Sequence, residues 1–209
     1  MPRTLHLLLA LACAPPLSAQ VPALDTANFV YVHILHGSVP RREYKKEESK
    51  MLGRKYGGHV VTQIGEYAYG YNFNSSRVHP FARKKKSCMA GLMEKQDAQR
   101  VIQSWYDGDK VTTIAFPATP GQKNKMRLFA EDCHSEPRFD YAFFGMRCAS
   151  TCYHLLGKGG LIKPSTRFRS IRKAFHPKQL RKKLVRHAKR KGYKIVVNPG
   201  SARRKWEGD

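Results

Sequence analysis

The stretch GGHVVTQIGEYAYGYNF, Gly57–Phe73, contains two strand-like runs on either side of the dipeptide Gly65-Glu66. β-Branched and aromatic residues are common in both runs, and glycine at the first central position of a two-residue turn is typical of a β-hairpin. Counting outward along the two strands from that turn pairs His59 with Asn72. The hairpin is therefore expected to bring an imidazole and an amide side by side on one face of a sheet.

Patterns outside the hairpin predict an α+β protein in which an antiparallel sheet packs against helices. Runs of β-branched and aromatic residues predict strands, and apolar residues at helical spacing behind a capping residue predict helices. The charged residues 41–56 and 201–209 are expected to form a surface segment and a tail. The expected strands are Phe29–Leu35, Val111–Phe116 and Tyr193–Val197, and the expected helices are Asp97–Tyr106, Pro120–Cys133, Cys148–Leu156 (ended by Gly157) and Lys178–Lys191.

Residues 1–20 have the pattern of a signal peptide. Arg3 supplies a positive charge, Leu5–Ala12 is a short apolar core, and small residues precede a cleavage point after Ala19 or Gln20. A first helix of the fold, or a lipoprotein leader ending at Cys13, are the alternatives. Residues 21–209 are then a single exported domain of the periplasm or cell envelope. They contain no apolar run of twenty residues, so no transmembrane segment is expected in the mature chain.

The chain is strongly basic, with 39 Lys and Arg against 15 Asp and Glu and a formal net charge of +24. Such a charge indicates polyanionic partners, or only a well-solvated surface. For an exported protein, the available anionic surfaces are lipid headgroups, lipopolysaccharide and wall polymers, and the leader argues against nucleic acid. Lys178–Lys191 is amphipathic, and its narrow apolar side suits either core packing or an anionic membrane surface, with core packing preferred.

A second stretch, FFGMRCASTCYHLL, places Cys148 and Cys152 one helical turn apart. Cys148 is expected at the start of the helix, where unpaired N–H groups and the helix dipole favour a thiolate. Cys152 lies one turn further in and is expected to pack. The alternative is that both sulfurs only fill a buried helix, because cysteine is often a small hydrophobic residue in a core.

Together, GGHVVTQIG with YAYGYNF and the later run FDYAFFGMRCASTCYHLL resemble the circularly permuted papain-like (NlpC-type) superfamily. The likeness covers Phe29–Leu156 and is strongest to the periplasmic papain-like domain of the Lnb lipoprotein transacylase family. Those domains carry Gly-His near the start and, later, an aromatic run followed by Asn-Cys-Ser/Thr-Thr at a helix start. Arg147 stands where that family has Asn, and residues 165–209 have no counterpart.

The resemblance implies that Cys148 is a nucleophile and His59 its general base, while Asn72 orients His59 as the hairpin pairing suggests. The expected function is an exported thiol hydrolase or acyltransferase that acts on an ester or amide of an envelope lipid or peptidoglycan component, without a cofactor. The alternative is a non-catalytic basic envelope-binding protein on the same fold.

Two further interpretations concern the cysteines. A metal site at Cys133-His134 with Cys148, Cys152 and His154 is disfavoured, because the spacing is not that of common zinc motifs. An exported chain permits disulfides among Cys88, Cys133, Cys148 and Cys152, but the sequence leaves their pairing open.

Overall fold

The computed structural model describes residues 24–47, 58–73, 80–81 and 88–208, so the proposed leader at residues 1–20 lies outside the described residues. The strands are β1 Phe29–Leu35, β2 Ser38–Pro40, β3 His59–Ile64, β4 Tyr67–Phe73, β5 Cys88–Met93, β6 Val111–Pro117, β7 Ile195–Asn198 and β8 Arg204–Trp206. The helices are α1 Lys95–Tyr106, α2 Pro120–Ser135, α3 Cys148–Lys158, α4 Arg167–Lys173 and α5 Pro177–Lys191, with a 3-10 turn at Arg42–Tyr44.

One six-stranded sheet in the order β5-β4-β3-β1-β6-β7 organises the molecule, and each neighbouring pair in it is antiparallel. Strands β2 and β8 form a separate antiparallel pair. The expected α+β class, an antiparallel sheet packed against helices, is therefore confirmed.

The β3–β4 hairpin has the predicted register. Ile64 lies opposite Tyr67 and Thr62 opposite Tyr69, with Gly65 and Glu66 as the two turn residues. Gly65 has a φ of 62°, a conformation that glycine adopts without steric cost. The turn chemistry therefore sets the pairing of the two strands, as expected from the sequence.

The sheet carries different layers on its two faces. On one face the inward residues of β1, β3, β4 and β6 pack against α2, α3 and α5 in the main hydrophobic core. On the other face Val61 and Ala68 pack with α1 through Ala98, Ile102 and Trp105. Because neighbouring residues of a strand point to opposite faces, the parity of each residue decides which layer its side chain joins.

Helix ends differ from the sequence prediction in two places. Helix α1 begins at Lys95 after Glu94, so the expected cap Asp97 lies in the first turn instead. Helix α3 continues through Gly157 to Lys158. Gly157 is buried inside that helix and packs against the segment at Pro164, which lies 3.4 Å from the position a Cβ would take. Gly157 therefore does not end the helix as expected.

The C-terminal residues are part of the fold, so the expectation of a charged tail over residues 201–209 is wrong for the described part. Strand β8 pairs with β2, and Arg204 donates to the Ser38 hydroxyl at 2.8 Å. Arg181 of α5, whose side chain is 2% exposed, makes an ion pair with Glu207 at 2.9 Å. This ion pair holds the end of the chain against α5. Losing either Arg181 or Glu207 would leave the other charge without its counter-ion in a largely buried position.

Helix α5 packs on the core through Leu180, Leu184 and Ala188, as the preferred interpretation of its amphipathic pattern expected. Its apolar side is therefore occupied by protein. Over the described ranges, the helices are all too short or too polar to cross a bilayer.

Candidate functional site

Cys148 is the first residue of α3, as predicted, and it is almost fully buried with 6% of its surface exposed. The Ser150 hydroxyl supports the helix start by accepting the Arg147 N–H at 2.8 Å. The Cys148 sulfur lies against the N–H groups of Ala149 and Val60 and the hydroxyl of Tyr141. This is a sulfur with polar neighbours in an otherwise apolar core.

Burial dominates the electrostatics of the Cys148 thiol. Desolvation raises the pKa of Cys148, and the Ala149 N–H, the Arg147 charge and the Tyr141 hydroxyl only partly oppose that shift. Burial also raises the pKa of Cys152 to about 12, although its sulfur accepts a hydrogen bond from Thr62 at 3.2 Å. The expected lowering of the thiol pKa by the helix start is outweighed here, because a thiolate would lose more solvation than the helix start returns.

His59 and Asn72 lie together, but on the other face of the sheet from Cys148. A Cβ placed on Gly70 would lie 4.0 Å from His59 Nε2 and 3.8 Å from Asn72 Nδ2, so both side chains border the same glycine. The His59 ring meets the Trp105 ring edge to face, with centroids 5.9 Å apart, and Trp105 belongs to the α1 layer.

The residues of the predicted Cys-His-Asn site are divided between the two faces of the sheet. Cys148 packs in the main core, whereas His59 and Asn72 border Gly70 on the face that carries α1, and the His59–Asn72 pair stays a prediction. Parity explains the separation: Val60 and Ile64 pack with α3 in the main core, so His59, one residue out of phase, points to the α1 layer. Val60 and Val61 are both apolar and buried on opposite faces, so the sequence pattern of β3 did not show which face His59 would take.

Cys133 is also a buried free thiol in the main core, so it is not in a disulfide with Cys88, whose side chain lies outside the described residues. Burial raises its pKa, while the Tyr69 hydroxyl acts in the opposite direction. Within the described ranges, no three His, Cys, Asp or Glu side chains converge as a metal site would require. His134 instead contacts the Ala90 carbonyl through Nδ1 at 2.6 Å.

The α1 layer contains a buried chain of hydrogen bonds centred on His33. The Tyr106 and Thr113 hydroxyls lie 2.6 Å apart, Thr113 contacts His33 Nδ1 at 2.9 Å, and His33 Nε2 contacts Gln63 Oε1 at 3.2 Å. Each group is satisfied when the His33 proton is on Nε2. Burial lowers the pKa of His33 to about 4, with Gln63 acting in the opposite direction, so this imidazole is neutral at physiological pH.

No family model, curated protein or solved structure matches this chain. The likeness to papain-like proteins therefore stays a prediction from the two short motifs.

A second candidate site is the C-terminal part of the chain, whose charge pattern is more extreme than the total suggests. Residues 141–206, the basic segment, contain nineteen Lys and Arg and no Asp or Glu, whereas residues 1–140 contain twenty Lys and Arg with thirteen Asp and Glu. Most of these cations lie on the surface. The exposed ones are Lys158, Lys163, Arg169, Arg172, Lys182, Arg186, Lys189, Arg190, Lys191, Lys194, Arg203 and Lys205.

Cations of the basic segment lie close enough to repel one another. Burial lowers the pKa of Lys183, and the neighbouring charges of Lys173 on α4 and Arg186 on α5 lower it further. The pKa of His187 is lowered by burial, then by Arg190 and Lys191. Helix α5 contributes a continuous stripe of such charges opposite its buried apolar side. This arrangement leaves a concentrated positive field whose self-repulsion an external polyanion would relieve.

Proposed function

We propose that this protein is a non-catalytic basic protein that binds anionic surfaces of the cell envelope through the basic segment, residues 141–206. The observation that carries the proposal is the segregation of charge: nineteen cations and no anion in one folded stretch of the chain. A structural requirement for positive charge would not exclude every acidic residue from three helices, two strands and their connections. Attraction of an anionic partner accounts for that exclusion, since one carboxylate would weaken the local field.

The binding mode is electrostatic attraction of exposed Lys and Arg to phosphate or carboxylate groups. Each basic residue near an anionic lipid surface contributes on the order of 1 kcal/mol, so about eight of the exposed side chains acting together would give micromolar binding. Such contacts need no deep pocket. They are also weakened by salt, because the Debye length falls from about 10 Å at 0.1 M to about 3 Å at 1 M.

The thiol reaction at Cys148 is the weaker candidate on this geometry. It requires a base at the sulfur, and the predicted base His59 packs on Trp105 across the sheet. The contacts at the sulfur, from Tyr141, Val60 and Ala149, are those of a thiol packed in the hydrophobic core.

The test is binding of the purified chain to vesicles of phosphatidylcholine containing phosphatidylglycerol, measured by co-sedimentation across a salt series. Vesicles of phosphatidylcholine alone and a double-stranded DNA fragment at the same salt are the comparisons. We expect binding that needs phosphatidylglycerol and weakens with salt. Equal binding to neutral vesicles, or tighter binding to DNA than to anionic vesicles at every salt concentration, would overturn the proposal.

A further inference from the structure

Four phenylalanines form a surface cluster, here called the aromatic patch: Phe143, Phe144 and Phe175 of the basic segment, together with Phe81. The rings of Phe143 and Phe144 lie 4.8 Å apart edge to face, and they are 44% and 60% exposed. Phe144 stacks on Phe81 at 5.6 Å, and Phe143 meets Phe175 at 5.8 Å. Isolated exposed apolar residues are common on proteins, but contiguous exposed aromatic rings mark an interaction surface.

A tight turn holds the patch in place. Tyr141 and Met146 are buried and bridge to each other, and the Gly145 N–H donates to the Ala142 carbonyl at 3.1 Å. Phe143 and Phe144 are the two residues at the tip of this turn. The buried residues Tyr141 and Met146 thus anchor the turn, so Phe143 and Phe144 are exposed while the core beneath them stays packed.

Arg147, a cation of the basic segment, packs directly on the rings of the patch. Its guanidinium carbon lies 3.9 Å from the centre of the Phe175 ring and 5.2 Å from that of Phe143, and Nη2 donates to the Phe175 carbonyl at 2.6 Å. Phe175 lies in the connection between α4 and α5, the two most basic helices. The aromatic patch therefore adjoins the connection between the two helices that carry most of the exposed cations.

We propose that the aromatic patch inserts into the acyl boundary of an anionic lipid bilayer while the cations of α4 and α5 contact its headgroup phosphates. This inference rests on the proposed function and specifies its partner as a lipid bilayer. Charge complementarity requires an anionic partner, and phenylalanine, which has no polar atom, gains most from a hydrocarbon environment next to that charge. A bilayer interface provides both within a few ångströms. The edge-to-face packing of Phe143 against Phe144 and Phe175 also leaves fewer ring faces open for stacking of nucleic-acid bases.

The affinity test compares Phe143→Ala/Phe144→Ala and the single variant Phe144→Ala with Phe168→Ala. Phe168 is 79% exposed and lies in the first turn of α4, within the basic segment but outside the patch. On phosphatidylglycerol vesicles at 0.5 M salt, where charge contacts are screened, we expect about tenfold or greater loss for the double variant and little change for Phe168→Ala. Equal loss in both would overturn a specific role for the patch. Thermal unfolding of each variant checks that the fold is kept.

The insertion itself is tested by the tryptophan fluorescence of Phe144→Trp. The wild-type emission, which comes from Trp105 and Trp206, is subtracted from the emission of the variant. On binding to phosphatidylglycerol vesicles we expect blue-shifted emission from the introduced indole and quenching by lipids brominated on their acyl chains. Vesicle binding without these changes would overturn the inference and leave the proposed function standing. Absence of vesicle binding would overturn both. Quenching of the introduced indole by single-stranded DNA, without quenching by brominated lipids, would replace the bilayer with a nucleic acid.

Discussion

At the scale of single residues, Cys148 shows how burial decides the chemistry of a side chain. Its position at a helix start favours a thiolate, yet only 6% of the residue is exposed and burial raises its pKa. The position of Cys148 at the start of a helix could be predicted from the sequence, because a segment rich in aromatic residues is followed there by a run of small residues that begins the helix. Its burial could not, because that depends on how α3 docks on the sheet.

We therefore expect Cys148 and Cys152 to react slowly with iodoacetamide at neutral pH in the folded protein, at least about tenfold more slowly than in urea. Burial protects both sulfurs, and the raised pKa of each keeps the thiol protonated. Mass spectrometry of the alkylated peptides measures the rate at each site. Fast native reaction of Cys148 that disappears in His59→Ala would contradict the separation of these two residues and restore the thiol enzyme.

His33 makes stability depend on pH. Its folded pKa of about 4 lies below the ordinary value of 6.5, so the unfolded chain binds the proton more readily. Its contribution is complete above about pH 6.5 and is lost as the pH falls toward 4, by ~3 kcal/mol in total.

Urea unfolding of wild type and His33→Gln at pH 7 and pH 4.5 measures this linkage. The wild type is expected to lose more free energy of unfolding than the variant between the two pH values. The comparison is needed because His154 and His176 also have lowered pKa values and shift stability in the same direction. An identical pH dependence in both proteins would show that His33 is not protonated on unfolding in this range.

At the scale of elements, the turn residue Gly65 and the cap residue Thr119 predicted the geometry correctly, whereas the expected cap Asp97 and the expected stop Gly157 did not. The hairpin register follows from Gly65, and the start of α2 follows from Thr119, whose hydroxyl accepts the Gln122 N–H. Strand β5 and helix α4 were missed. The sequence CMAGLM of β5 has few β-branched or aromatic residues, and basic residues obscure the apolar pattern of α4.

Two glycines at the ends of β3 give an element-scale prediction. Gly58 has a φ of 72°, and a Cβ there would lie 2.3 Å from the Leu35 carbonyl oxygen, whereas Gly65 has a φ of 62° and open space around it. Gly65→Ala is expected to lower the free energy of unfolding by about 1 kcal/mol from the left-handed backbone alone. Gly58→Ala adds a clash with a backbone atom that cannot rotate away, so its cost should be at least ~2 kcal/mol larger.

Denaturant unfolding of the two variants checks this difference. Equal costs for Gly58→Ala and Gly65→Ala would show that the β1–β3 edge relaxes around the added methyl group.

At the scale of the whole molecule, the α+β class and the antiparallel sheet could be predicted, but the assembly of the candidate site could not. The hairpin places His59 beside Asn72, while a single-residue phase difference along β3 directs His59 away from the layer that contains Cys148. Overall charge was evident from composition. The concentration of cations in residues 141–206 is visible in the sequence. Which of those cations are exposed depends on which side of α5 packs on the core.

The central claim is that the location of the basic charge, and not the total charge, produces binding. The α5 variant replaces Lys182, Arg186, Lys189 and Arg190 with Glu, all four exposed opposite the buried side of the helix. Its matched control makes the same charge change outside the basic segment, at the exposed residues Arg42, Lys46, Arg100 and Lys125.

The most direct measurement is the equilibrium affinity of wild type and these two variants for phosphatidylglycerol vesicles at 0.1 M salt. The account predicts at least about a hundredfold loss for the α5 variant and less than about a tenfold loss for the control, since cations near the surface each contribute on the order of 1 kcal/mol. Equal losses in the two variants, or no loss in the α5 variant, would contradict it.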